Sequence, residues 1–198
     1  MKNTKEHILK IALGLFLRKS FKEVTMNEIV KKKEMSKGAF YHYFESKEQL
    51  FLEILNSYFV GSMVLDYSKL SKDSLYQFSR DYISEITQRL QISEKKQNVS
   101  LSNVNFYFLI FDGAKRFPEF RKKMRETQEI EQKAWENIVG IARKKREIMS
   151  KMTDEQIAKL FIYVTDGVGI HLIMDNKIGQ MMEEVSFLWG GLYDQLKA

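Results

Sequence analysis

Residues 25–50 read TMNEIVKKKEMSKGAFYHYFESKEQL, and three helix starts fall inside them. Thr25-Met26-Asn27-Glu28 and Ser46-Lys47-Glu48-Gln49 have the spacing of a capping box, in which the hydroxyl accepts from the backbone N–H three residues on and the Glu or Gln side chain returns to the cap. Ser36 is a further N-cap. Apolar Ile29, Val30, Met35, Phe40, Phe44 and Leu50 lie between the caps. The spacing therefore predicts short helices over about 26–33 and 36–44 and a longer one over about 46–63, packed at an angle. Two short helices joined by a tight turn are the layout of a helix-turn-helix, whose second helix enters the DNA major groove.

The chemistry of that second helix suits the task. Lys37, Tyr41, His42, Tyr43 and Lys47 are donors able to reach phosphates, while Gly38 and Ala39 are small enough to approach base edges. The helix starts at Ser36 and Ser46 add backbone N–H groups. His42, between two tyrosines, reads as a DNA contact; His7 reads as an exposed side chain and not a metal ligand. Lys31-Lys32-Lys33 reads first as a solvated helix face and second as a phosphate clamp.

Outward from this stretch the pattern stays helical. Ile8, Ile11, Ala12, Leu15 and Phe16 predict a first helix over about 4–19, and further periodic segments predict helices over about 72–91, 100–116, 118–149, 154–175 and 179–196. Pro118 suits a first helical position, and Thr153-Asp154-Glu155-Gln156 is a third capping box. One proline and ten glycines in 198 residues are too few turn residues for a many-stranded sandwich. The expected class is all-α.

The net charge of +6 is concentrated: residues 1–50 hold 11 basic and 6 acidic side chains, against 21 and 20 in the rest. A basic module on a nearly neutral body is the plan of a nucleic-acid reader carrying an effector or assembly domain. The absence of cysteine excludes a disulfide scaffold, a zinc finger, an iron–sulfur centre and a thiol nucleophile. Lys10, Arg18 and Lys19 flank the apolar run 11–17, and no small-residue cleavage site follows it. The longest uncharged stretch, 97–111, has 15 residues, fewer than the roughly 20 needed to span a bilayer. A cytoplasmic protein without membrane contact is expected.

The run from Phe21 to Phe51, with Thr25, Ile29, Ser36-Lys37-Gly38-Ala39-Phe40-Tyr41-His42-Tyr43-Phe44 and Ser46-Lys47-Glu48-Gln49-Leu50, resembles the signature of the TetR/AcrR family of bacterial transcriptional regulators. The resemblance covers the first quarter of the chain. It implies a three-helix DNA-binding domain over 1–46 with a helix-turn-helix, and a helical effector-binding and dimerisation domain over 47–198. It also implies a homodimer whose last two helices form a four-helix interface. The DNA-reading set is then Thr25, Asn27, Ser36, Lys37, Gly38, Ala39, Tyr41, His42, Tyr43 and Lys47, acting on double-stranded operator DNA. One departure is the turn: Lys33-Glu34-Met35 stands where the family usually has Ala-Gly-Val, and Glu in a left-handed conformation costs roughly 1 kcal/mol.

The rest of the chain supports weaker expectations. The aromatic run Phe106–Phe111 means burial on several sides, chiefly core packing and secondarily a pocket wall. An effector pocket would be walled by Phe59, Met63, Phe106, Tyr107, Ile110, Trp135, Ile138 and Tyr163. No Arg or Lys falls in those stripes, so its small hydrophobic ligand is expected to be neutral or cationic. Leu160, Val164, Val168, His171, Leu188, Trp189 and Leu192 are the expected dimer interface, with His171 an interface side chain ahead of a ligand contact. Arg143-Lys144-Lys145-Arg146 reads as a solvated helix end. Asp154-Glu155 and Glu183-Glu184 suit helix N-termini, and no phosphate loop, dinucleotide fingerprint, metalloprotease motif or nucleophile elbow occurs. No enzyme, cofactor or metal is expected. The combined reading is a sequence-specific regulator, a repressor released by its effector, and its rivals are an all-helical small-molecule-binding protein or enzyme and a regulator that activates or takes no effector.

Overall fold

The computed structural model describes residues 2–60, 65–97, 104–175 and 177–197. Among them the only extended pairing is a lone bridge between Ile148 and Lys197, and the architecture is all-α. The helices are α1 (Lys2–Phe16), α2 (Met26–Lys33), α3 (Lys37–Tyr41), α4 (Lys47–Ile54), α5 (Leu75–Gln97), α6 (Val104–Arg116), α7 (Pro118–Lys144), α8 (Asp154–Met174) and α9 (Met181–Leu196). Each begins within a few residues of its expected start. α4 continues as a π-helical segment, Leu55–Val60, that the sequence does not announce. Buried Leu50, Phe51, Ile54, Leu55, Tyr58 and Phe59 recur every four residues. In an α-helix that repeat drifts by about 40° each time, and the wider π turn takes up the drift.

Packing divides the chain into two compact units, Met1–Met63 with Glu94–Arg125, and Val64–Ser93 with Glu126–Ala198. The division differs from a boundary at residue 46, because α4 and its continuation share the core of the helices before them. That first core holds the fully buried Ile8, Phe40, Phe44, Phe51 and Phe59. Phe51 has Phe16 at 4.8 Å and Phe21 at 4.9 Å between ring centres. Lys5–Glu53 at 2.6 Å and Lys19–Glu28 at 2.7 Å are ion pairs joining α1 to α4 and the loop after α1 to α2.

The second unit is built on Trp135, whose ring has Phe78, Phe161 and Trp189 each at 4.9 Å. Trp189 Nε1 donates to Phe161 O at 3.0 Å. Arg143 is not merely a solvated helix end: its guanidinium reaches Asp154 Oδ1, Ser150 O and Met152 O at 2.8, 2.8 and 2.7 Å, closing the loop before α8. Lys145 of the same run donates to Asp73 O at 2.7 Å. Glu147 caps α5 from 72 residues away, accepting from Leu75 N at 2.9 Å and Tyr76 N at 3.1 Å. The capping box at Thr153 is complete in both directions.

Several expected site residues are core instead. Phe59 is sealed in the first core, and Trp135 and Ile138 in the second, so none of the three presents a wall to a ligand. Tyr107 and Ile110 are half-buried in the first unit, and Tyr163 is exposed on α8 in the second. Met63 lies outside the described residues, as does the side chain of Phe106. Val168 and Trp189, expected at a dimer interface, are buried inside this chain. The reason is that α8 is apolar on two sides. Ile157, Ala158, Phe161, Val168 and Leu172 face the core, while Leu160, Tyr163, Ile170 and Met174 are exposed, as are Phe187 and Leu188 on α9. The double stripe also makes α8 long and apolar enough, by composition, to cross a membrane, although Lys159 and Asp166 break it into short uncharged stretches.

Candidate nucleic-acid interface

The caps hold α2, α3 and α4 in place. Thr25 Oγ1 accepts from Glu28 N at 3.1 Å, Ser36 Oγ from Ala39 N at 3.2 Å and Ser46 Oγ from Gln49 N at 3.1 Å. The return half of the Ser46 box goes elsewhere, and the Glu28 carboxylate is shared between the Thr25 backbone and a lysine. Glu28 takes Lys19 Nζ, which holds its carboxyl below the usual glutamate range, and Gln49 Oε1 accepts from Glu45 N at 2.8 Å.

Between α2 and α3 the backbone turns at Glu34, with φ 56° and ψ 40°. This is the left-handed conformation that a glycine adopts freely, so the expected strain of roughly 1 kcal/mol is present. Two hydrogen bonds hold it there: Glu34 N to Lys31 O at 3.1 Å and Met35 N to Val30 O at 3.5 Å.

α3 has five residues, and one of them anchors it. Phe40 is fully buried beside Phe44, ring centres 6.1 Å apart. At 3.6 residues per turn, seating Phe40 inward turns its neighbours outward. Lys37, Gly38, Ala39, Tyr41 and His42 are exposed, as is the cap Ser36, and Tyr43 is half-buried against His42 at 5.5 Å. Thr25 and Asn27 are exposed at the start of α2. Nine of the ten expected DNA-reading residues thus fall on the reading helix, the residues flanking it, or the start of α2.

Gly38 is the informative one. Its φ is not positive, and a Cβ built on it meets nothing within 4 Å. Neither the backbone nor the packing of this chain asks for glycine there.

The tenth, Lys47, behaves differently from a phosphate contact. Its ammonium donates to Phe21 O at 2.8 Å and Val24 O at 2.9 Å, and sits 4.5 Å from the centre of the Phe21 ring. These carbonyls belong to the loop that carries the chain into α2. Sequence spacing could not show this, because 23 residues or more separate the partners. Lys33 Nζ lies 3.2 Å from His7 Nδ1, whereas Lys31 and Lys32 are exposed, so the lysine run is a solvated face with one tethered member. Among the described residues no group of His, Cys, Asp or Glu is arranged to hold a metal ion.

Residues 8–54 match the family described as bacterial regulatory proteins, tetR family. Over 54 residues the chain is 50% identical to the HTH-type transcriptional regulator QacR of Staphylococcus aureus, covering 27% of this chain and 29% of that protein. The first three curated relatives are matched over only 20% to 29% of their length. A longer likeness, 27% identity over 84% of this chain and 82% of the relative, is to the HTH-type transcriptional regulator YfiR of Bacillus subtilis. Among solved structures, NalD of Pseudomonas aeruginosa, the secondary repressor of the MexAB-OprM multidrug efflux pump, has the same fold. It superposes with a TM-score of 0.71 at 19% identity, over 99% of this chain and 96% of that one.

Proposed function

From the premise that the N-terminal module of this chain belongs to the tetR family of bacterial regulatory proteins, we propose that the protein is a sequence-specific transcriptional regulator, a repressor released by a small effector. The observation that carries the reading is the outward row on α3: Lys37, Gly38, Ala39, Tyr41 and His42 around a single buried anchor, with open space where Gly38 lacks a side chain. Donors and a gap side by side are what base edges and phosphates require of a helix in the major groove. The function is one of binding, in a cytoplasmic setting, and the relatives carry regulator names.

The partner copy covers the outer stripe of α8 and α9. Leu160, Tyr163, Ile170, Met174, Phe187 and Leu188 form an apolar surface too continuous to be left in water. Gly167, Gly190 and Gly191 on these helices have nothing within 4 Å of a built Cβ, so the chain itself gives no reason for them. Close approach of a second pair of helices does. Leu160, Leu188 and exposed His171 belong to this face, with Val164 and Leu192 half-buried at its edge. The outer of the two stripes that give α8 its membrane-like composition is the dimer seam.

The test is fluorescence anisotropy of a labelled duplex against salt. Affinity should fall steeply as salt rises, and Lys37→Ala should lower the slope of log K against log salt by about 0.9, one phosphate. An affinity that ignores salt, or a slope that Lys37→Ala leaves untouched, would contradict the reading.

A further inference from the structure

Between α6 and the loop after α1 lies a groove of about 550 Å³. Its size is that of a drug-sized ligand site. Buried Phe16 and Leu109 line it, and two large rings beside it are left in solvent: Phe108 is 62% and Phe111 61% exposed. α6 therefore offers an apolar surface that this chain does not cover.

The charges around the groove are unbalanced. Its two carboxylates are already satisfied: Asp112 receives Arg116 Nε at 2.8 Å on both oxygens, and Glu23 accepts from Ser20 N at 2.8 Å and Ser20 Oγ at 2.6 Å. Lys19 is paired with Glu28. Three further lining cations, Arg18, Lys22 and Lys115, are exposed and have no ion-pair partner among the described residues. An apolar wall beside three unpaired cations complements a molecule with an apolar body and an anionic head. A duplex phosphate backbone would meet the cations but has no apolar body to cover Phe108 and Phe111.

We propose that this groove binds a small aromatic or acyl carboxylate and that this anion is the effector. The ligand's charge is thus opposite to the neutral or cationic one the sequence suggests. The apolar stripes carry no Arg or Lys, whereas these cations come from the loop and from the end of α6. The effector role, though not the binding, rests on the regulator reading. It follows from the walls: the loop holds Lys47 through the carbonyls of Phe21 and Val24 and ends at the Thr25 cap of α2. Asn105 Nδ2 ties α6 to the same region through Leu17 O at 2.7 Å. An anion seated between these walls acts on the mounting of the reading helices.

The experiment is calorimetric titration of the full chain with 2-naphthoate and with its cationic counterpart, 2-naphthylmethylammonium. It compares the parent with the Arg18→Gln/Lys115→Gln double variant, and melting curves verify that the variant is folded. Saturable naphthoate binding, about tenfold weaker in the variant, and weaker binding of the cation are expected. The proposal is overturned if naphthoate does not saturate at millimolar concentration, if the cation binds as tightly, or if the folded variant binds naphthoate as tightly as the parent. Because no DNA enters the titration, its failure is separate from failure of the regulator reading, which is judged on duplex binding.

Discussion

Replacing Gly38 by alanine separates what the fold needs from what a partner needs. In this chain the new methyl group enters open space, since nothing lies within 4 Å of the built Cβ, and the backbone there has no positive φ. Alanine is favoured over glycine in a helix by roughly 0.5–1 kcal/mol, so Gly38→Ala should stabilise the protein. For a chain of this size the melting temperature should rise by about 1–3 °C. If α3 lies in a major groove with Gly38 against the DNA, the same methyl group displaces it at a loss comparable to one wrong base pair. That is about 1–3 kcal/mol, or roughly 5- to 150-fold in Kd. The assay is calorimetric melting of the free protein alongside anisotropy with a selected duplex and a scrambled one. A variant that melts higher and loses specific affinity, with its affinity for scrambled DNA unchanged, supports the argument. Undiminished affinity for the selected duplex, or a lowered melting temperature, refutes it.

Glu34→Gly should relieve the left-handed strain and raise stability by about 1 kcal/mol in urea titration, whereas Glu34→Val should lower it. Ile170→Glu, at a position 53% exposed, should yield a folded monomer in sedimentation at micromolar concentration; an unchanged dimer would move the interface elsewhere. Glu131 on α7 accepts from Tyr82 Oη at 2.8 Å, and burial together with the charge of Asp166 pushes its carboxyl above its ordinary 4.5. Its folded state therefore holds a proton that the unfolded chain has released, so this group makes the protein less stable as pH rises from about 4.5 through the raised value. Glu131→Gln removes that loss, and its melting advantage over the parent should be larger at pH 7 than at pH 4; an advantage that stays constant would sink the assignment.

The caps made most of the fold legible. Thr25, Ser36, Ser46 and Thr153 each bond the backbone N–H that their spacing implies, because capping is a contact within four residues. The strain at Glu34 was legible as a missing glycine. Contacts between distant residues were not: nothing in the spacing of Lys47, or of Glu147, points to carbonyls or N–H groups 23 to 72 residues away. The dimer face was half legible. α8 carries apolar residues on both sides, so its pattern identifies two stripes without saying which one this chain keeps, and Val168 and Trp189 went to its own core. The groove beside Phe108 and Phe111 was hidden for a related reason. An aromatic run reads as core unless the elements that leave it uncovered are known.

The most direct test of the central claim is selection of duplexes bound by the full chain from a random pool, followed by measurement of Kd at physiological salt for the enriched and scrambled sequences. The account predicts a twofold-symmetric site with half-sites about one helical turn or slightly more apart, bound at least about 10³-fold more tightly than scrambled DNA. A pool that yields no enriched sequence, with one affinity for every duplex, would contradict it.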